Sequence, residues 1–180
     1  SEYYGTLDIP IRVDDGFTFN GENYNNLSET VILVLAINGV NDAPLLSGPA
    51  SASTMEGEDV DIIGVSVLDE DVFGVNNSAL SFSLNAVNGT ISLTPTAGLT
   101  YEDGCACDGI EDSNIILSTF IDNFNLAVST ITFHPAIDYY GDSANIEIIV
   151  NDQGYNGLPN GDDPIELIDI LSIPITVNAI

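Results

Sequence analysis

The sequence has almost no positive charge. Its 180 residues contain 28 Asp and Glu but a single Lys or Arg, which is Arg12, so the formal net charge is −27. Proteins that bind nucleic acids or anionic membrane surfaces use Lys and Arg to neutralise phosphates. A nucleic-acid partner is therefore excluded, and so is electrostatic attachment to an anionic membrane. The absence of Lys also excludes Schiff-base chemistry and a phosphate-binding loop that ends in Lys.

Cysteine is scarce, tryptophan is absent and no long apolar run is present. Cys105 and Cys107 are too few for a disulfide framework, so a local bridge, an interchain bridge and two free thiols all remain open. A zinc site needs about four ligands, and His134 is the only further nitrogen or sulfur candidate. The longest apolar run, Val31–Ile37, is far too short to span a bilayer, so no direct membrane insertion is expected. A secretion signal would lie outside this chain.

The composition is nevertheless that of a folded protein. Hydrophobic residues make up 44% of the sequence and the mean hydropathy is +0.23, which separates the chain from acidic disordered segments. Its carboxylates repel one another, and either solvent or bound cations must relieve that repulsion. Ca²⁺ is the leading candidate because it prefers oxygen ligands. The alternative is a solvated acidic surface that binds nothing.

Apolar and polar residues alternate through most of the chain, which predicts half-buried strands. The alternating sets are Val60, Ile62, Val65, Val67; Leu80, Phe82, Leu84; Ile91, Leu93; Ile146, Ile148, Val150; and Leu171, Ile173, Ile175, Val177. Clusters of Gly, Pro, Asn and Asp between them predict turns. The best helix signal is a short turn at residues 122–127, with Asp122 as its cap. The predicted fold is all-β, an antiparallel Greek-key sandwich.

The sequence also repeats itself. Glu2-Tyr-Tyr-Gly5, an alternating strand and Asp14-Asp-Gly16 return as Asp138-Tyr-Tyr-Gly141, an alternating strand and Asp152-Gln-Gly154. The segment 33–40 returns as 173–180, 140 residues later. We therefore expect residues 1–44 to be the second half of one repeat and residues 45–180 to be a complete repeat. Both would belong to a longer tandem array.

Several motifs resemble those of cadherin and cadherin-like tandem repeats. Val40-Asn-Asp-Ala-Pro44 resembles the linker in which an Asn-Asp pair precedes the Pro that starts the next domain. Further matches follow in the family's order: Thr54-Met-Glu-Gly57, Val67-Leu-Asp-Glu-Asp71, Ile137-Asp138-Tyr139 and Val150-Asn-Asp-Gln-Gly154. Gly89-Thr-Ile-Ser-Leu93 is similar to the long cadherin-like repeats of giant surface proteins in microbes and algae. The resemblance spans essentially the whole chain and implies a cadherin- or immunoglobulin-like sandwich in tandem repeats.

The predicted strands bring oxygen ligands to one rim of the sandwich. Two strands are expected to run toward that rim and to deliver carboxylates at their ends, while the linker enters there because the domain begins there. The residues expected at the rim are Asn41, Asp42, Asp69, Asp71 and Asp152. Glu2 of the preceding repeat is expected to face them. Ca²⁺ takes about six to eight oxygens, and such a convergence supplies them.

The resemblance assigns four more ligands to other junctions. These are Asp14 for the junction upstream, and Glu56, Asp138 and Asn178 for the junction downstream. The chain departs from the family pattern at Gly39, where an acidic residue is usual, at Tyr140, where Glu is usual, and in a linker that lacks a second Asn. Fewer or weaker ions per junction are therefore expected. Taken singly, each Asp-Gly pair is explained as an ordinary turn.

No enzymatic activity is expected. His134 ends a predicted strand and has no Ser or Cys at a recognised catalytic spacing, so it is expected to be structural. Nothing in the sequence selects a carboxylate pair for glycoside cleavage. Asn26, Asn76 and Asn88 are permitted glycosylation acceptors, at about the number that chance gives.

The expected function is that of a structural or adhesive Ca²⁺-binding module in a long extracellular protein. Ca²⁺ at the junctions would fix the angle between repeats and turn a flexible chain into a filament or stalk. Its partners would be neighbouring repeats of the same chain, with lateral self-assembly as a further expectation. The alternative is a glycan- or ligand-binding β-sandwich of an adhesin, which the absence of Trp makes less favourable.

Overall fold

The computed structural model describes residues 5–14, 18–19, 22–23, 28–37, 40–72, 78–158, 161–162 and 165–180. Contacts divide the chain into two compact units, Ser1–Gly39 and Val40–Ile180. The linker motif Val40–Pro44 thus groups with the second unit, whereas the repeat pattern had placed it at the end of the first.

The first unit is an antiparallel hairpin. Strand β1 (Gly5–Asp14) pairs with β4 (Ser28–Ile37), and the short strands β2 (Thr18–Phe19) and β3 (Glu22–Asn23) pair between them. The register places Gly5 opposite Ile37 and continues without a bulge to the far end of the hairpin. The alternating apolar and polar residues of this segment therefore form strands, as the sequence predicts.

The second unit contains thirteen strands and one short helix among its described residues. They are β5 (Leu45–Ser47), β6 (Ala52–Met55), β7 (Val60–Ile63), β8 (Ser66–Leu68), β9 (Leu80–Val87), β10 (Gly89–Leu93), β11 (Thr100–Tyr101), β12 (Asn114–Thr119), α1 (Ile121–Ala127), β13 (Thr130–Pro135), β14 (Gly141–Asn151), β15 (Tyr155–Leu158), β16 (Gly161–Asp162) and β17 (Ile168–Asn178).

These strands form a two-layer sandwich. The larger sheet has the order β11-β12-β9-β14-β17-β6, and the smaller sheet has the order β10-β13-β7; β5-β8 and β15-β16 form separate pairs. Between the strands that the structure describes, every pairing is antiparallel except that of β17 with β6, which is parallel. The prediction of an all-β sandwich is confirmed, and the parallel pair is an addition to it.

The core lies between the two sheets. Strand β9 alternates buried and more exposed residues, so that Leu80, Phe82 and Leu84 face inward. From the smaller sheet, Ile91 and Phe133 point back at them and are fully buried. A period of two with one buried side is what a half-solvated sheet requires, and the sequence carries that period.

One predicted strand is split in two. The segment 60–68 was expected to run as a single strand, but Gly64 adopts a positive φ of 91° and separates β7 from β8. Strand β7 then pairs with β13, whereas β8 pairs with β5. Glycine tolerates this backbone conformation at no steric cost, so the chain changes its pairing partner there.

The predicted helical turn is present, but its predicted cap is wrong. The N-cap of α1 is Phe120, without a side-chain capping hydrogen bond, and Asp122 lies in the first turn. A carboxylate in the first turn still interacts favourably with the positive, N-terminal end of the helix dipole. The helix covers one side of the core, where the ring of Phe124 stacks on that of Phe82 with centroids 3.7 Å apart.

Two further expectations concern the cysteines and membrane insertion. Cys105 and Cys107 form a disulfide with a Cα–Cα distance of 5.2 Å, so the alternative that holds is the local bridge. Neither sulfur is then a thiol that could bind zinc. In the described part of the chain, no helix is long and apolar enough to cross a bilayer.

Candidate metal centre

The ends of two strands and the entering linker meet at one rim of the second unit. Asp69 directly follows β8, and Asp152 directly follows β14. Asn125 of α1 fixes the end of β8, because its side chain accepts from the N–H of Val67 at 2.8 Å and donates to the Val67 carbonyl at 2.9 Å. The strands predicted to deliver carboxylates therefore do so from anchored positions.

Asp152 accepts three hydrogen bonds at the rim. Its Oδ1 accepts from the N–H groups of Gly154 and Leu167, each at 2.8 Å, and its Oδ2 accepts from Asn41 Nδ2 at 2.8 Å. The same Nδ2 donates to the carbonyl of Ile165 at 3.0 Å. The linker is thus tied directly to the loop that follows β14.

Asp71 makes the second tie to the linker. Its Oδ2 accepts from the N–H of Asp42 at 2.6 Å, and its own N–H donates to Asp69 Oδ1 at 2.9 Å. The five residues predicted for this rim, namely Asn41, Asp42, Asp69, Asp71 and Asp152, are therefore brought together. Their role as metal ligands stays a prediction.

The three rim carboxylates are buried in a unit whose sequence contains no Lys or Arg. Asp69, Asp71 and Asp152 are 1%, 8% and 0% exposed. Arg12 is the only Lys or Arg of the sequence and lies outside the unit Val40–Ile180. A buried carboxylate is costly unless it is paired, since burial removes its hydration. The rim therefore concentrates negative charge within a unit that has no Lys or Arg of its own.

Two oxygens of the rim have no hydrogen-bond partner although they are buried. They are Asp69 Oδ2 and Asn41 Oδ1. Burial of Asp69, with the charges of Asp71 and Asp152 adding to it, raises the pKa of that carboxyl from 3.8 to about 6; bonds from the N–H groups of Asp71 and Val72 oppose the rise. Unpartnered buried oxygens are uncommon in native proteins, and an ion or a water is the usual explanation.

The donor set suits a hard cation, but it is not assembled as a finished cage. Among the described residues, no group of three or more His, Cys, Asp and Glu side chains is arranged so that it could hold a metal ion. Several carboxylate oxygens are turned instead toward backbone N–H groups. Asn41 adds a side-chain amide oxygen, Oδ1, that is buried and has no hydrogen-bond partner. Carboxylate and amide oxygens are the ligand types that Ca²⁺ takes.

The residues assigned to the downstream junction lie at the end of the larger sheet where β17 finishes. The N–H of Glu56 donates to the carbonyl of Asn178 at 2.8 Å, and Asn178 Nδ2 donates to the carbonyl of Thr54 at 2.9 Å. Asp138, with a φ of 61°, lies in the turn before β14, whose first residue, Gly141, pairs with Val177. Their role as ligands remains untested.

The residues predicted as ligands from the preceding repeat lie partly or wholly outside the described residues. Glu2 lies outside the described residues, and so does the side chain of Asp14. Strand register adds one observation: Val13 lies opposite Glu29 as Val150 lies opposite Asp169. By this correspondence Asp14 matches Asn151, and the position that matches Asp152 is Asp15, which is also outside the described residues.

One polar cluster was not recognised in the sequence. His134 lies within hydrogen-bond distance of Ser92 and of Asp59. His134 is 42 residues from Ser92 and 75 from Asp59 in the sequence, so the contacts could not be predicted from local spacing, although β10 and β13 were each predicted as strands. Only the antiparallel register, in which Thr90 is opposite His134 and Ser92 is opposite Thr132, brings the side chains together.

Comparison with known proteins assigns no family. No protein-family model matches the sequence, and no curated protein matches it. A structure titled surface layer protein SbsC, domains 4–9, is 14% identical with a TM-score of 0.36, and covers 98% of this chain but 18% of its own. A cohesin module from Clostridium perfringens ATCC13124 family 33 glycoside hydrolase is 11% identical with a TM-score of 0.41, and covers 79% of this chain and 100% of its own. This chain spans less than a fifth of the SbsC structure's chain.

Proposed function

We propose that the chain is a Ca²⁺-binding β-sandwich module of a long extracellular protein, in which the ion stiffens the junction between consecutive repeats. The observation that carries the proposal is the buried Asp69, whose Oδ2 has no partner and lies in a rim with two further buried carboxylates. The unit Val40–Ile180, which contains this rim, has no Lys or Arg. The role is mechanical and requires no catalysis.

The electrostatic argument favours a divalent cation. Three carboxylates in a poorly hydrated rim repel one another, and the free energy of that repulsion falls when a cation enters. Asp69, Asp71, Asp152 and the Oδ1 of Asn41 would hold it, and reorientation of carboxylates now bonded to N–H groups would complete the set. Extracellular Ca²⁺ modules bind with a Kd of about 10⁻⁴ to 10⁻³ M, and a site that must reorganise suits that weaker range.

The link from binding to stiffness is the linker. Asn41 and Asp42 already touch Asp152 and Asp71 across 111 and 29 residues of sequence. An ion shared by the linker and the rim would hold the linker against the second unit and limit its bending. Neighbouring repeats of the same chain are the partners proposed for this role, and lateral assembly into a filament remains a separate prediction.

The test is thermal unfolding of the chain with Ca²⁺ at about 100 times its Kd and again with chelator. One-site binding to the folded state adds about 2.7 kcal/mol to the free energy of unfolding at that ratio, and Tm rises accordingly. Asp69→Asn should remove most of the increase. Asp142→Asn is the matched control, because Asp142 is an exposed aspartate of β14.

Isothermal titration of the same variants measures binding directly. Wild type and the Asp142→Asn variant should bind Ca²⁺ equally, and the Asp69→Asn variant should bind at least tenfold more weakly. If Ca²⁺ changes neither Tm nor heat in the wild type, the rim is a structural acidic cluster and the proposal fails. A response that survives Asp69→Asn unchanged would place the ion elsewhere.

A further inference from the structure

A hydrogen-bonded chain of three side chains crosses the outer surface of the smaller sheet. Ser92 Oγ lies 2.9 Å from His134 Nε2, and His134 Nδ1 lies 2.9 Å from Asp59 Oδ1. Ser92 is on β10 and His134 on β13, while Asp59 directly precedes β7, so each strand of this sheet contributes one group. The neighbouring residues Ile91 and Phe133 point into the core, which directs Ser92 and His134 outward.

The proton positions in this chain follow from its chemistry. An ionised carboxylate only accepts hydrogen bonds, so His134 Nδ1 must carry a hydrogen and donate it to Asp59. In the neutral imidazole Nε2 then holds a lone pair and accepts the hydroxyl hydrogen of Ser92. The N–H of Glu111 donates to Ser92 Oγ at 2.9 Å, which leaves the hydroxyl hydrogen free to point at Nε2. This is the arrangement in which a serine loses its proton to a histidine as it attacks.

The hydrogen-bonded side chains of His134 and Asp59 border an open cleft. A cavity of about 440 Å³ is lined by His134, Asp59 and Glu111, together with the first two residues of β10 and residues 135–137. His134 is 22% exposed and Asp59 is 59% exposed. Ser92 is half-buried and accepts from the N–H of Glu111. A ligand in the cleft therefore contacts the imidazole, while Ser92 Oγ, which is not among the cleft's lining atoms, lies 2.9 Å from its Nε2.

We propose that Ser92 is a nucleophile activated by His134, and that this surface hydrolyses small carboxylic esters independently of the metal centre. Ser92 Oγ forms a bond to the ester carbonyl carbon, and its proton passes to His134 Nε2. The carbon–oxygen bond to the alcohol then breaks, and the alcohol leaves with that proton. Water, deprotonated by the same imidazole, releases the acid from Ser92. Asp59 is a positioning residue that holds the imidazole through Nδ1.

The charge of the cleft restricts the substrate. Asp59 and Glu111 are acidic residues of its lining, and the sequence places no Lys or Arg in this unit to offset them. Anionic esters would be repelled, whereas uncharged and cationic esters would not. Acetyl esters of neutral alcohols are therefore the substrate class to test first.

The experiment has two readouts on the full chain. The first is the rate at which a fluorophosphonate probe labels each serine, followed by peptide mass spectrometry. The second is hydrolysis of p-nitrophenyl acetate. Ser81 is the internal reference, because its Oγ lies 3.5 Å from the Glu102 carboxylate. Ser92 should label far faster than Ser81 within the same wild-type molecule, a comparison that does not depend on any variant folding.

Variants separate the roles. Ser92→Ala should abolish hydrolysis above background, and Ser81→Ala should leave it unchanged. His134→Gln should slow labelling of Ser92 by about 100- to 10,000-fold, the usual size of a general-base contribution. Asp59→Asn should lower kcat with little change in KM, which a purely structural role would not produce. The proposal is overturned if Ser92 labels no faster than Ser81 in the wild type, or if folded His134→Gln protein labels at the wild-type rate.

Discussion

Two hairpins of this chain share their pairing and differ in their surroundings. In the first unit β1 and β4 pair from Gly5 opposite Ile37, and in the second β14 and β17 pair from Gly141 opposite Val177. Both initial glycines have a positive φ, of 124° and 138°. The apolar residues of the first hairpin are nevertheless exposed, Leu33 by 51%, whereas Ile173 in the matching position is 0% exposed.

The difference shows that burial is conferred by neighbours rather than by the strands. Strands β9 and β6 flank β14 and β17, and the smaller sheet covers their inner side. The first hairpin carries a stripe of the same kind, made of Leu7, Ile9, Ile11, Val31, Leu33 and Leu35. The two hairpins are therefore a natural experiment in which one apolar pattern occurs with and without a sandwich around it.

The largest expected contrast comes from truncating matched side chains. Ile173→Ala removes a fully buried side chain and should lower the free energy of unfolding by about 2–5 kcal/mol. Leu33→Ala removes an exposed one and should change it by less than about 0.5 kcal/mol. Urea unfolding measures both. A large cost for Leu33→Ala would mean that another chain segment covers the first hairpin in solution.

A second contrast concerns pH. Because the pKa of Asp69 is raised from 3.8 to about 6, the folded protein binds that proton more tightly than the unfolded chain does. Without divalent cations, the contribution of Asp69 to stability should be fully present below about pH 4 and be lost, by up to about 3 kcal/mol, as the pH rises through 6. Asp69→Asn should flatten this portion of the curve.

Amide hydrogen exchange locates the effect. Protection of β14 and β17 should decrease between pH 5 and 7, after correction for intrinsic rates, while exchange of β1 and β4 should not follow that change. Addition of Ca²⁺ should reverse the trend, since the ion favours the ionised carboxyl. An unaltered pH dependence in the Asp69→Asn variant would assign it to other carboxylates.

The smallest expected difference in stability is between alanine substitutions of the two glycines that begin β1 and β14. Gly141→Ala places a side chain at a positive φ, where its Cβ would meet the Tyr139 hydroxyl at 3.4 Å, and should cost the second unit about 1 kcal/mol. A Cβ on Gly5 would meet no atom within 4 Å, and Gly5→Ala should leave the unfolding of the second unit unchanged. Differential scanning calorimetry of both variants provides the comparison. Equal losses would imply that the units unfold as one.

The sequence was most informative where one local rule decides the outcome. Alternation predicted the strands, and the aspartates that directly follow them had to emerge at strand ends, which is why Asp69 and Asp152 were foreseen at one rim. The split of segment 60–68 was not foreseen, although the apolar alternation shifts by one residue between Ile62 and Val65, on either side of Gly64 with its positive φ. The contacts of Ser92 with His134 depend on strand register, which only the assembled sheet defines.

The parallel pair of β6 with β17 has a consequence for a chain under tension. Ala52 pairs with Ile175 and Met55 with Asn178, so the last strand of the module runs alongside one near its beginning. Pulling the two ends of the unit apart drags these strands past each other lengthwise. Their hydrogen bonds then bear the load together, instead of opening one after another as they would in a hairpin pulled from its open end. The sandwich thus contains a mechanical clamp, whose rupture force a single-molecule pulling experiment would measure.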